Sequence, residues 1–459
     1  AGRTRASALQ LATDSLKALS AFEEADQTIE KAAADFPAEW RVLRQAGSSY
    51  FSLPHYGTVV DGKFQRGQQR NRGEWKNVQL RDRVRTLQLL VAARQKIAAD
   101  ATTGDRADLL DRLSLSLGSH SNGFRMAWKL QALTDLTKLP DYDEQEGGDS
   151  ATGGYPADEK NDPVFFAAAE SFEKAGSDGA RLFWLWKELE SLGGEHAAKA
   201  RESRALMLKS WFSVRSLAMQ GWWGRSTPDD AKSKAGIAAV HTLREDETVA
   251  KLATGPKRFA LAESQALLAM FRSLADDESA DRDLRVRALR HIAEELTDRR
   301  QYPKAAETLR LAIELERDDN RRKGLTGMLH QIIDNLARFE PQAPQPAGKG
   351  AKLSLVFRNA QKISFTARKV DVLKLVEDTK AWLRTEPQGN ADWWRGDVSS
   401  IGRRLLEQDQ QKYLGAVVAR WETALEPAAN HWDKRIGIAP SLQNGGAYFI
   451  EGKAEKGNT

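Results

Sequence analysis

The side chains able to do chemistry are few and scattered. The seven histidines are His55, His120, His196, His241, His291, His330 and His431. No two lie three or four positions apart, so no helix offers the paired imidazole face that zinc sites use. Cysteine is absent, which removes disulfides, thiolate metal ligands, thiol nucleophiles and thioesters from this chain. No HExxH, GxSxG, P-loop or dinucleotide fingerprint occurs. His55 stands beside Tyr56 in a Gly-rich stretch, where a structural role is the simpler reading. These residues predict no catalytic group, no cofactor and no metal, hence a protein that is not an enzyme.

Two charged segments carry the remaining signals. Residues 54–77 are too polar and Gly-rich for helix, and Val59, Val60 and Phe64 flank Asp61-Gly62, a hairpin-turn pair. Through Arg85 the segment holds Lys63, Arg66, Arg70, Arg72, Lys76, Arg81, Arg83 and Arg85 against Asp61, Glu74 and Asp82. One reading is a basic loop that docks an acidic partner, with Lys63, Arg66, Arg70 and Arg72 as its contacts. The simpler one is a loop whose arginines pair with nearby acids. Residues 138–163 hold Asp141, Asp143, Glu144, Glu146 and Asp149. Counted from Asp141, the sixth and twelfth places hold Glu146 and Thr152, not the Gly and Glu of an EF-hand. An acidic loop is expected there, not a calcium site.

Tryptophan is the compositional anomaly, with 13 copies. Trp184 and Trp186 flank Leu185, Trp222-Trp223 precede Gly224, and Trp393-Trp394 precede Arg395. Exposed aromatic pairs hold sugars or peptides, so Trp222 and Trp223 join the candidate partner-binding residues. Core packing is again the simpler reading. On a helix Trp184 and Trp186 face different ways, so one of them is expected to pack between repeats.

The elements that must position these residues follow from periodicity. Residues 5–35 read as one helix, with Leu9, Leu16, Leu19, Phe22, Ala25, Ile29 and Ala32 on a stripe and Asp35-Phe36-Pro37 as its stop. Leu289, Ile292, Ala293 and Leu296 repeat the pattern before Tyr302-Pro303, and Ala305, Leu309 and Ala312 continue it. Small residues at these offsets let helix pairs pack closely, as in tetratricopeptide repeats. Further helices are predicted at 79–101, 104–116, 122–137, 164–175, 178–191, 194–219, 229–253, 257–277 and 282–298. The region 1–340 is thus expected to be an all-α, TPR-like hairpin array of about 12 to 14 helices. Residues 341–352 begin Pro341-Gln342-Ala343-Pro344-Gln345-Pro346 and read as a linker.

Beyond it the period becomes two. Leu353, Leu355 and Phe357 form one strand pattern, and Ile363, Phe365 and Ala367 another. Residues 370–383 read as a helix, 413–421 as a strand or short helix, and 435–438 as a strand onto which 447–450 pairs back. The expected fold class is therefore α then β, with residues 353–459 an antiparallel β-sandwich.

Composition bounds the function. A chain of 459 residues is too long for one core. Its 69 Lys+Arg against 64 Asp+Glu leave +5, too slight to predict nucleic-acid binding. No apolar stretch is long enough to span a membrane. The first residues, Ala1-Gly2-Arg3, suggest a processed product, and the ending directly after the last predicted strand suggests an N-terminal fragment.

Several segments, taken in order, resemble the large bacterial alpha-2-macroglobulin-like proteins. In the β-part these are Phe357-Arg358-Asn359-Ala360, Phe365 through Asp371, Trp421-Glu422, His431, and Gly445-Gly446-Ala447-Tyr448 through Gly457-Asn458-Thr459. In the helical part they are Pro54-His55-Tyr56-Gly57, Arg81 through Arg85, and Ala175-Gly176-Ser177-Asp178-Gly179. The family's first macroglobulin domain carries an early strand of roughly the form aromatic/aliphatic–x–Tyr–Arg–Val–Asp. Here Ala367 replaces the Tyr, and Lys369 is inserted between Arg368 and Val370. Without the family, Arg368 and Asp371 read as an ion pair at a strand end.

The resemblance implies an extracytoplasmic protease inhibitor, periplasmic, envelope-bound or secreted, that traps proteases sterically and without catalysis. Its partners would be proteases or cell-envelope proteins. This chain would supply the scaffold, with the bait segment and any thioester downstream. Two other readings stand beside it. One is a free-standing helical-repeat module for protein binding. The other is a glycosidase-like helical toroid with an accessory β-domain, which needs two carboxylates across a cleft.

Overall fold

The computed structural model describes residues 2–67, 73–98, 101–119, 126–142, 153–218, 236–346, 350–384, 406–442 and 444–458. The chain forms two compact units that divide between Arg299 and Arg300. Helices come first and antiparallel sheets predominate after them, an α then β order.

The first unit opens with α1 (Gly2–Ala18), α2 (Phe22–Asp35) and α3 (Trp40–Phe51). The single helix expected over 5–35 is two. Ser20 takes a left-handed φ of 58° and Leu19 is exposed, so the predicted stripe is cut where α1 turns into α2. The stop at Asp35 is where the sequence places it, but α2 buries Ala25, Ile29 and Ala33, one position beyond the expected Ala32.

Strands β1 (Tyr56–Val60), β2 (Lys63–Arg66) and β3 (Glu74–Asn77) follow as an antiparallel sheet in the order β2-β1-β3. Asp61 and Gly62, with φ of 50° and 74°, form the turn their dipeptide predicts. Gly57 is required for closeness: a Cβ there would lie 2.2 Å from the Gln65 carbonyl oxygen.

Then come α4 (Gln79–Lys96), α5 (Thr103–Gly118), α6 (Asp178–Ser191), α7 (Gly194–Phe212) and the short α8 (Arg215–Ala218). Thr102 and Asp105 form a capping box at the start of α5. Each of α1, α3 and α5 packs against both the next helix and the next but one, so α1, α3, α5 and α7 lie side by side in one layer.

Three predicted helices are absent among the described residues. Within 122–137 the described residues form only a 3-10 turn, Ala127–Gln131. Residues 164–175 are irregular, because Phe165 and Phe166 turn into an aromatic cluster with Tyr155, Trp211, Phe212 and Phe259. Side-chain burial there overrides the helix propensity of Ala167, Ala168 and Ala169. Among the described residues of 229–253 the chain instead makes β4 (Glu247–Leu252), which pairs with β5 (Gly255–Ala260) as an antiparallel hairpin, so the helix expected over 257–277 begins only at Leu267. Helices α9 (Leu267–Asp276) and α10 (Arg282–Asp298) complete the unit.

The second unit starts with α11 (Tyr302–Leu315) and α12 (Asp319–Ile333), whose buried Ala305, Leu309 and Ala312 match the expected offsets. It continues as β6 (Leu336–Phe339), β7 (Leu353–Arg358), β8 (Lys362–Val370), α13 (Val372–Arg384), β9 (Leu414–Ala424), β10 (Lys434–Ile438) and β11 (Tyr448–Ala454). Two three-stranded antiparallel sheets result, ordered β10-β7-β6 and β11-β8-β9. Leu355, Phe357 and Ile438 from the first sheet share a core with Ile363, Phe365 and Ala454 from the second.

Three expectations change here. Strand β6, not foreseen, pairs with β7 (Leu336 opposite Arg358, Phe339 opposite Leu355), so the Pro-rich stretch is a hairpin connection inside one unit, not a linker between two. Strand β11 does not return to β10; it pairs with β8, Ile450 opposite Ala367. Arg368 and Asp371 form no ion pair. Asp371 instead begins α13, its carboxylate accepting from Lys374 N at 3.1 Å.

Candidate functional site

The segments singled out in the helical part lie far apart in sequence, and buried charge joins them. Arg66 comes from β2, Asp26 from α2 and Asp82 from the first turn of α4. The Arg66 guanidinium donates from Nε to both Asp26 oxygens (3.0 and 2.9 Å) and from Nη1 and Nη2 to Asp82 (2.6 and 2.9 Å). Nη1 also donates to the Pro54 carbonyl at 2.7 Å. His55 Nδ1 reaches Asp82 Oδ2 at 2.9 Å. Burial would lower the Arg66 pKa, but the hydrogen bonds and charge of Asp82, joined by Asp26, raise it. Burial also raises Asp26, against the pull of Arg66 and with the push of Asp82 and Glu30.

Arg66, one of the candidate docking residues, is therefore spent inside the fold: its side chain is 4% exposed. Its neighbours on α4 behave alike. Arg85 grips Glu30 with Nε and Nη2 at 2.8 and 2.5 Å, and Tyr50 Oη donates to the same carboxylate at 2.7 Å. Burial raises Glu30, yet these donors hold its carboxyl below the usual range. Arg83 Nη2 donates to the buried Asp178 at 2.8 Å, where Arg181 Nη1 (3.1 Å) and Thr134 N (3.1 Å) also converge. Burial would raise Asp178, but the Arg83 charge and the Thr134 hydroxyl keep it low. Arg81 covers the Tyr142 ring at 4.6 Å, and Lys76 pairs with Glu74. Lys63 is exposed. Arg70, Arg72, Trp222 and Trp223 lie outside the described residues, as do Trp393, Trp394 and the acids Asp143, Glu144, Glu146 and Asp149.

Trp184 and Trp186 are both buried. Trp184 lies against Phe172 with Arg94 over its ring, and Trp186 meets Phe183 edge-on. They pack into the core rather than line a sugar or peptide site.

The second unit repeats the theme. Arg358 donates to Asp433 at 2.8 Å and to the Gln331 carbonyl at 3.0 Å, and lies over the Tyr302 ring at 4.5 Å. Asn359 turns the chain with φ 58°, donates to the Ile332 and Asp334 carbonyls at 2.9 Å, and accepts His431 on its amide oxygen. Burial, with Arg358 and Arg310 nearby, lowers the His431 pKa. Asn458 brackets Ala337, donating to its carbonyl and accepting from its N–H, both at 2.7 Å.

Chemically, these arrangements hold structure. The His55–Asp82 pair has the geometry of a dyad, but Asp82 is committed to Arg66 and no hydroxyl meets the other ring nitrogen among the described residues. Nor, among them, do three or more His, Asp or Glu side chains gather into a cation site. No described helix is long and apolar enough to cross a membrane. Sequence reasoning missed Asp26, Glu30 and Asp178 as the partners of the basic segment. The signal available was the surplus of arginine over acid within 54–85, which requires acids from elsewhere once any of it is buried. No protein family, curated protein or solved structure matches this chain.

Proposed function

We propose that this chain is the N-terminal scaffold of an extracytoplasmic, alpha-2-macroglobulin-like protease inhibitor, acting by steric trapping without catalysis. In this reading residues 353–459 and strand β6 form a macroglobulin-type sandwich. The observation that carries it is the single core shared by the two three-stranded sheets, lined by Leu355, Phe357, Ile363, Phe365 and Ile438. The resemblance segments support it a second way. Arg358, Asn359 and His431, and in the helical part His55, Asp82, Arg83 and Asp178, are residues that pin elements together. A shared scaffold retains such residues in order.

The bait segment and any thioester then lie downstream. The test is the parent reading frame and its product. A frame that continues into further β-domains, and a product that blocks a protease on protein substrates while sparing a small chromogenic one, supports the proposal. A frame ending at Thr459, or a product that leaves both activities intact, overturns it.

A second reading, a helical-repeat module that binds protein, is favoured by the layer of α1, α3, α5 and α7. A pull-down with the whole chain that recovers no specific partner argues against it.

A further inference from the structure

Helices α3, α5 and α7 run parallel in a fixed register. Arg41 meets Asp105, Arg44 meets Asp108 and Ser48 meets Arg112, each pair 64 residues apart. That register sets Leu115 level with Phe51. On the next step Gly104 approaches His196 and Gly118 abuts Met207, which sets Leu206 level with Leu115. Phe51, Leu115 and Leu206 are the large apolar side chains these three helices leave exposed, at 52%, 53% and 40%. Helices α2, α4 and α6, which pair with this layer, expose none among the described residues.

Charge marks the same face. Arg44 and Arg112 are both engaged by Asp108. Gly104, Asp111 and Gly118 recur at seven-residue intervals, so Asp111 lies on the side of α5 that faces α7, one turn before Leu115. Its half-buried carboxylate has no hydrogen bond or ion pair among the described residues, and burial holds its pKa above the ordinary value against the pull of Arg112. The face is thus an apolar ladder with one acid, without a hydrogen bond or ion pair among the described residues, beside its middle rung.

We propose that this ladder binds an extended polyproline-II peptide with an apolar residue at every third position and a lysine or arginine next to the middle one. The inference deepens the second reading above and rests on it. Packed helices stand about 8–10 Å apart. A polyproline-II chain repeats every three residues, about 9.3 Å, so its successive apolar side chains match successive rungs. A β-strand presents same-side residues about 6.6 Å apart and falls out of step. The basic residue complements Asp111.

The test is fluorescence anisotropy of the whole chain with a labelled peptide of repeated Pro-Pro-Leu, one lysine replacing the proline beside a central leucine. The expected result is saturable binding, roughly tenfold weaker for a peptide with leucine at every second position. Leu115→Ser should weaken binding by roughly tenfold, and Asp111→Asn should abolish the preference for lysine over glutamate in the probe. Phe51, Leu115 and Leu206 are exposed and Asp111 is half-buried, and unchanged thermal melts confirm that the variants fold. Equal affinity for the two spacings overturns the proposal, as does failure of the Pro-Pro-Leu probe to bind. Binding that survives combined Phe51→Ser, Leu115→Ser and Leu206→Ser overturns the ladder while leaving the protein-binding reading intact.

Discussion

A buried guanidinium with two carboxylates is worth more as a unit than its parts suggest. Removing Arg66 leaves Asp26 and Asp82 facing each other with no cation between them, and breaking such a pair costs about 3–5 kcal/mol. Arg66→Ala should therefore lower the urea midpoint of the first unit steeply, while Lys63→Ala, three residues away and exposed, should change its stability by less than about 0.5 kcal/mol. Asp298, at the end of α10, is a different case. Burial first, then the charge of Glu295, pushes its pKa up to about 6, against Arg215 and Lys209. The folded state thus favours the protonated acid. Its contribution to stability is present below about pH 4 and lost as pH rises through about 6. Asp298→Asn should flatten that fall, gaining on the order of 2 kcal/mol at pH 7 and little at pH 4, read from denaturation midpoints across the range.

Among the elements, legibility followed the size of the local signal. Helix α6 at 178–191 and α10 at 282–298 begin and end where the sequence places them, and Ser177 and Asp281 cap their starts. The Asp61-Gly62 turn was legible because its two residues tolerate positive φ. Strands β4 and β5 were not. Thr248 and Val249 are β-branched, but Ala and Lys around them keep a helical period, and only their pairing decides the outcome. Strand β6 was hidden differently: four residues directly after α12 carry too little pattern, and their partner lies beyond the Pro-rich stretch. The candidate site was half legible, since the arginines stood out while Asp26, Glu30 and Asp178 looked like ordinary surface acids. The β6–β7 pairing has a direct check. Proteolysis within 341–346 should leave two fragments that co-elute under native conditions and separate only in denaturant. A true linker would release them. Shortening the connection to about five residues should stabilise the sheet by roughly 0.8 kcal/mol from reduced loop entropy, seen as a small rise in melting temperature.

For the whole molecule, two compact units that divide between Arg299 and Arg300 predict two calorimetric transitions. Arg66→Ala should move one and leave the other in place; a single transition shifted by that substitution would show that the units unfold together. Composition marked a boundary in the wrong place because proline and glycine signal the absence of helix and strand, not the absence of tertiary pairing.

That displaced boundary has a consequence for descent. A piece of gene that spreads between proteins must encode something that closes on itself. Residues 353–459 do not, since β7 would lose β6, and Asn359 and Asn458 would lose the Ile332, Asp334 and Ala337 groups they bind. The compact unit that holds the β-part runs from Arg300, helices α11 and α12 included. Relatives that share the β-part should therefore carry this helical pair with it, as one transmissible block.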